Sequence, residues 1–277
     1  MSLHIDIKGT GHPLVLIHGW GMHGGVWQPL IKKLSHHYQL HIVDLPGMGH
    51  SRPLEPAHLH AIAEALAAQL PPHADICGWS MGGLVAMRLA LTHPEVVRRM
   101  ILIGSSPRFV NADSDNAASE DGSVDPWSYG IAADVFHQFA SQVNADYHAT
   151  LIKFLTLQCM GSSDARATVK QLRSTFSERP VPTAGSLQKA LHILLENDLR
   201  HEILHLHKPV LLIHGDRDTL APVQAAHWLS QHLPFGRLRV IAGAGHAPFL
   251  SHPEQFVHAI DEFLEPGKAG HPLERQP

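Results

Sequence analysis

The sequence is poor in cysteine, charge and aromatic residues, and it contains no long apolar run. Its two cysteines, Cys77 and Cys159, form neither a CxxC pair nor a zinc-ligand spacing, so neither a disulfide framework nor a cysteine-based metal site is called for. No apolar stretch approaches the ~20 residues that a membrane-spanning helix needs. The N-terminal MSLHIDIKGTGHP lacks the basic and apolar regions of a secretory signal. The chain therefore reads as soluble and cytoplasmic, with no membrane contact. Excess positive charge is also missing: 21 Lys and Arg against 25 Asp and Glu leave a formal charge of −4. A general attraction to nucleic acid is thereby removed.

What is present is an ordinary globular composition, 44% hydrophobic and 17% charged over 277 residues. That length suffices for one large domain with an inserted subdomain. Histidine is the unusual residue, with 25 copies. Most must be bland surface or half-buried residues, so a histidine carries weight only within a motif.

Short β-branched or Leu-rich runs ending in Gly or Asp alternate with amphipathic stretches. Segments 13–19, 40–47, 74–80, 99–105, 208–216 and 237–246 read as buried strands, and 26–36, 57–69, 81–93, 222–233 and 253–264 as the helices following them. Continuous apolar strands separated by helices predict an α/β fold, a mostly parallel sheet covered on both faces. Residues 1–107 and 208–266 would form this core. Between them, 108–207 predicts a helical cap with helices at 131–143, 146–160, 164–176 and 185–198. The cap would begin with a loop at 111–125 that holds five acids and no bases, a composition that cannot build a core. The tail 267–277 is expected to fray.

Gly78-Trp79-Ser80-Met81-Gly82 is G-x-S-x-G. The pattern alone occurs by chance, and a glycine-rich turn with an ordinary serine would satisfy it. Its place between a strand and a helix is the stronger signal, because a nucleophile elbow belongs there. A serine nucleophile needs a base, and the base needs an orienting carboxylate. Asp216 and Asp218 close one later strand and His246 closes the next, in the order serine, acid, histidine that such a sheet requires. Asp218 is the choice for the acid, since Asp216 lies nearer the strand and more naturally ties down the turn. The oxyanion of a tetrahedral intermediate needs N–H donors; Met81, at the start of its helix, and Trp20, in the loop HGWGMHGG, are placed to supply them. Asp44, in DLPGMGHS, reads as a residue that shapes the sheet edge. Together these features predict a serine hydrolase that needs no metal and no organic cofactor.

The series HGWG, DLPGMGHS, GWSMGG, GDRD and GAGHAPF resembles the α/β-hydrolase superfamily along nearly the whole chain. The central sheet would carry helices on both faces, with the cap inserted after the sixth strand. LIHGWGMHGGVW, CGWSMGGLVA, KFLTLQCMG and GHAPFLSHPEQF are similar, more narrowly, to the pimeloyl-acyl-carrier-protein methyl ester carboxylesterase family of biotin synthesis. That resemblance implies hydrolysis of a methyl ester on a pimeloyl chain borne by acyl carrier protein. It puts the triad on Ser80, Asp218 and His246, the oxyanion and substrate contacts on Trp20 and Met81, and an acyl channel on Phe154, Leu155, Thr156, Leu157 and Gln158. Two departures from the family stand out: the long acidic segment, and Ala149 where some relatives carry a basic residue.

Residues 147–179 carry five bases (Lys153, Arg166, Lys170, Arg173, Arg179) against two acids, Asp164 and Glu178. Arg166, Lys170 and Arg173 share one helix face, opposite Ala165, Val169, Leu172 and Phe176. A solvated helix face carries such residues too. With the family resemblance, Lys153, Arg166, Lys170 and Arg173 become candidates for docking the acidic carrier protein. The chain is expected to act as a monomer. A broad short-chain carboxylesterase, a C–C bond hydrolase of the same fold, and a non-catalytic ligand receptor are the alternatives.

Overall fold

A computed structural model describes residues 2–112, 126–160 and 165–265. Seven strands among these residues form one sheet: β1 (Ile5–Lys8), β2 (His12–Ile17), β3 (Tyr38–Val43), β4 (Ala74–Trp79), β5 (Val97–Ile103), β6 (Val210–Gly215) and β7 (Gly236–Ile241). Their order is β1-β3-β2-β4-β5-β6-β7. Only β1 runs antiparallel, pairing Ile5 with Val43 and Lys8 with Leu40. The remaining pairs are parallel. The central strands β4 and β6 are buried at every position, which is why they read as unbroken apolar runs rather than as alternating ones. Edge strands β1 and β7 are largely half-buried or exposed.

Outside the insert, the helices are α1 (Gln28–Leu34), α2 (Leu59–Ala67), α3 (Met81–Thr92), α8 (Val223–His232), the single turn α9 (Pro248–Ser251) and α10 (Pro253–Leu264). The cap consists of α4 (Ala133–Ala145), α5 (Tyr147–Leu157), α6 (Ala165–Phe176) and α7 (Ala184–Glu196). It leaves the sheet after the fifth strand in chain order and not after the sixth, because five strands precede it. Its apolar faces (Phe136, Leu151, Leu155, Leu172, Leu187 and Leu191) merge with the sheet's hydrophobic core instead of making a second one. The acidic segment is ordered at its start, where Val110 bridges Ile131 and Ala112 bridges Trp127. Its remainder, 113–125, lies outside the described residues, as do Asp164 and the tail expected to fray.

After β2 the chain adds β3 on one side and then crosses to place β4 on the other. The carboxyl ends of β2 and β4 thus flank the point where strand order reverses, and there an open parallel sheet leaves a crevice for a ligand. Four aromatic rings pack beneath that edge. Phe249 lies 4.6 Å from Trp27, 5.1 Å from Trp79 and 5.9 Å from Phe256, centroid to centroid. All four are buried, and they make a firm floor under the loop that carries His246.

Candidate active site

Ser80 follows β4 and precedes α3 with φ 55° and ψ −119°, a strained backbone for a residue with a side chain. Its amide donates to Ile103 O at 2.8 Å, and its carbonyl accepts from Ser105 Oγ at 2.9 Å. The sharp turn needs glycine on both sides. A Cβ at Gly78 would lie 2.3 Å from Gly82 O, and one at Gly82 would lie 2.3 Å from Ile17 O. The serine is thereby held at the crevice, beside the end of β2. Met81 opens α3, and its N–H is among those a helix leaves without an internal partner.

The loops after β6 and β7 bring Asp218 and His246 together. His246 Nδ1 lies 2.7 Å from Asp218 Oδ2, and the other carboxylate oxygen accepts from the amides of Leu220 and Ala221, both at 2.9 Å. Burial alone would raise the Asp218 pKa, but His246 and His214 outweigh it and hold the carboxyl well below its ordinary range. An ionised carboxylate only accepts, so His246 carries its proton on Nδ1 and leaves Nε2 free to accept one. Asp216 does the structural work expected of it, accepting from the Gly243 amide at 2.7 Å. His214 drew no notice in the sequence. It is buried on β6, with Nε2 2.6 Å from Ala221 O and 3.4 Å from Asp218 Oδ2. Nothing in the HGD pattern signals that role.

Trp20 is buried, and its indole N–H donates to Leu187 O in the cap at 3.0 Å. Its ring meets Phe154 at 4.9 Å and Phe139 at 5.3 Å. A small, mostly apolar cavity opens beside it, lined among others by Trp20, Met81, Leu54, Ile62, Ala190 and Ile193. The space, about 20 Å³, accommodates a group little larger than one water molecule. Trp20 and Met81 are thus brought to one cavity, whereas none of Phe154, Leu155, Thr156, Leu157 or Gln158 lines it. Those five divide around α5 and its end. Phe154 packs on Trp20, Leu155 is in the core, Leu157 is half-buried, and Thr156 faces outward. Gln158 is buried, and its backbone oxygen accepts from the His246 amide at 3.1 Å. The loop residues lining the cavity escaped sequence reading because a loop has no periodicity to assign a face.

Lys153, Arg166, Lys170 and Arg173 are exposed on α5 and α6. Arg173 Nη2 lies 3.4 Å from Thr156 Oγ1. Arg179 does not share their surface. It is mostly buried and paired with Asp44 at 2.7 Å and Asp6 at 2.6 Å, so it contributes no free positive charge there. Asp44 also accepts from the amides of Gly24 at 2.7 Å and His50 at 2.8 Å. It organises the loops at the end of β3 and takes no part in the crevice, in line with its sequence context.

A strained serine at a switch point, a histidine of defined tautomer and a buried ionised aspartate are the parts of nucleophilic acyl transfer. The chain matches the α/β hydrolase fold family over residues 12–253 and belongs to it. It is 43% identical over 260 residues to the pimeloyl-[acyl-carrier protein] methyl ester esterase of Nitrosomonas europaea, covering 94% of this chain and 98% of that one. The protein of the same name from Vibrio vulnificus (strain YJ016) is 41% identical over 262 residues, with 95% and 98% covered. Among solved structures, the esterase EaEST from Exiguobacterium antarcticum superposes with a TM-score of 0.81 at 20% identity, over 95% of both chains. The enol-lactonase from Burkholderia xenovorans LB400 gives 0.77 at 20% identity, over 95% of this chain and 96% of the other. At such identities these two share the fold alone. No helix of the described residues is long and apolar enough to cross a membrane.

Proposed function

We propose that the protein is a serine carboxylesterase that hydrolyses the methyl ester of pimeloyl-[acyl-carrier protein] in biotin synthesis, with Ser80, His246 and Asp218 as its triad. Near full-length identity of about two residues in five to esterases of that name carries the substrate assignment. The chemistry is supported by the 2.7 Å contact between His246 Nδ1 and Asp218.

Ser80 Oγ attacks the ester carbonyl as His246 Nε2 takes its proton. The oxyanion that forms is met by the N–H groups of Met81 and Trp20, which are fixed before the reaction and so need no reorganisation. Asp218 stabilises the imidazolium without itself being protonated. Collapse expels methoxide, which leaves as methanol with the proton from His246. Water, activated by the same Nε2, then attacks the acyl-enzyme and frees the carboxylate. The thioester joining the chain to its carrier lies at the other end of the pimeloyl group and is untouched.

Of Phe154, Leu155, Thr156, Leu157 and Gln158, Phe154, packed on Trp20, would guide the acyl chain. Lys153, Arg166, Lys170 and Arg173 would attract the acidic carrier, with Arg179 excluded from the surface by its ion pairs. The test compares turnover of the carrier-bound methyl ester with that of small soluble esters, before and after the double change Arg166→Glu and Lys170→Glu. The carrier-bound ester should be hydrolysed by the unaltered protein, and charge reversal should slow it by about tenfold or more while sparing the small ester. Hydrolysis of short aryl esters with none of the carrier-bound ester would overturn the substrate. Equal loss on both would overturn the docking face.

A further inference from the structure

The backbone of His246 is held from two sides, by the cap and by the sheet. Its amide donates to Gln158 O at the end of α5. Its carbonyl accepts from the indole Nε1 of Trp79 at 2.8 Å. Trp79 is the residue immediately before Ser80. Its indole is fully buried, with the ring 5.7 Å from the His246 imidazole and 5.1 Å from Phe249.

From this juxtaposition we infer that Trp79 is a positioning residue: its indole N–H holds the catalytic histidine's main chain at a fixed distance from the serine that the same strand end carries. The inference rests on the triad reading of the site. Three observations set this bond apart from ordinary packing. The first is covalent adjacency, since Trp79 and Ser80 share a peptide bond and any shift of one moves the other. The second is the target: the indole bonds the main chain of His246, whereas Asp218 bonds its ring, so together they restrain both the ring's tilt and its anchor. The third is chemical. An indole N–H donates and cannot accept, and in the buried floor of the site its loss would leave the His246 carbonyl short of a donor. Proton transfer between serine and imidazole depends steeply on their separation, so a small displacement of that anchor should appear in the chemical step and leave substrate binding alone.

The test uses two replacements in the full-length protein, assayed on a small soluble ester so that carrier docking plays no part. Trp79→Phe removes the donor but also removes volume. Site-specific replacement of Trp79 by 3-benzothienylalanine keeps the ring's size and exchanges only the N–H for sulfur, so it is the deciding variant. With it, kcat and the rate of Ser80 labelling by a fluorophosphonate should both fall by about fivefold to tenfold, while KM stays within about twofold. Trp228→Phe, outside the site, should leave both rates unchanged. A benzothienylalanine variant with kcat and labelling rate within about twofold of the parent overturns the inference, whatever the thermal stability of Trp79→Phe. Ser80→Ala separates the two readings. If it remains active, the triad itself is wrong; if it is dead while the deciding variant is unimpaired, only the role of Trp79 falls.

Discussion

Replacing Asp218 by Asn tests the triad most sharply, because the surrounding bonds dictate which way the new amide must face. One carboxylate oxygen accepts from two main-chain amides, those of Leu220 and Ala221. The asparagine Oδ1 has to take that place, since turning its NH₂ towards two N–H donors would leave both amides unpaired in a buried site, at about 1–3 kcal/mol each. The NH₂ is therefore driven towards His246 Nδ1. A donor there forces the imidazole proton onto Nε2, the atom that must accept from Ser80. The same change of tautomer in a serine protease lowers kcat by about 10⁴-fold, and a loss of that order is expected here. The assay is steady-state hydrolysis of a soluble ester, backed by fluorophosphonate labelling and a circular dichroism check on the fold. Asp216→Asn is the comparison: among the described residues Asp216 accepts from the Gly243 amide, and the amide oxygen of asparagine can still accept from it, so kcat should stay within about threefold. A folded Asp218→Asn protein retaining more than about a tenth of kcat would refute the assignment of Asp218.

Arg179→Met should destabilise the fold by about 3 kcal/mol, seen as a lower midpoint in urea unfolding, because it strands the buried carboxylate of Asp44; the two amide bonds Asp44 keeps place the loss at the low end of the range. A loss below about 1 kcal/mol would mean that the pair is no more than a surface contact. Stability should also fall on acidification because of His18, which burial lowers from 6.5 to about 4. The unfolded chain takes up this proton near pH 6.5 and the folded chain refuses it until about pH 4, so stability is lost as pH falls between the two, by about 3 kcal/mol from this group. His12, His23 and His41, also lowered chiefly by burial, act with the same sign. Urea titrations at several pH values should show a flatter slope over that window in His18→Gln, and an unchanged slope would count against the burial argument.

Much of the scaffold was legible in the sequence because its signals are local. A buried parallel strand is a continuous apolar run, and a helix covering it has an apolar stripe, so β4, β6, α3 and α10 were readable nearly to their ends. The order of Ser80, Asp218 and His246 was readable too, since each closes a strand and parallel strands deliver their carboxyl ends to one edge. Edge strand β1 went unread, being short and half exposed, so the sequence shows four strands ahead of the cap where the fold has five; the expectation of six came with the family resemblance.

Contacts between segments distant in sequence belong to the tertiary structure alone. Arg179 belongs to the same basic stretch as the exposed bases of α6, six residues beyond Arg173, and only the fold turns it inward onto Asp44 and Asp6. His214 and Asp216 flank one glycine, yet the turn after β6 sends one side chain to Asp218 and the other to Gly243. Nothing in GWS indicates that the indole of Trp79 reaches the carbonyl of His246, 167 residues along the chain. The sequence by itself determined which groups the chemistry would use and at which edge they would meet, through strand ends and glycine turns. Packing between distant segments decided how those groups are oriented and paired, because hydrogen bonds and burial depend on distance in space.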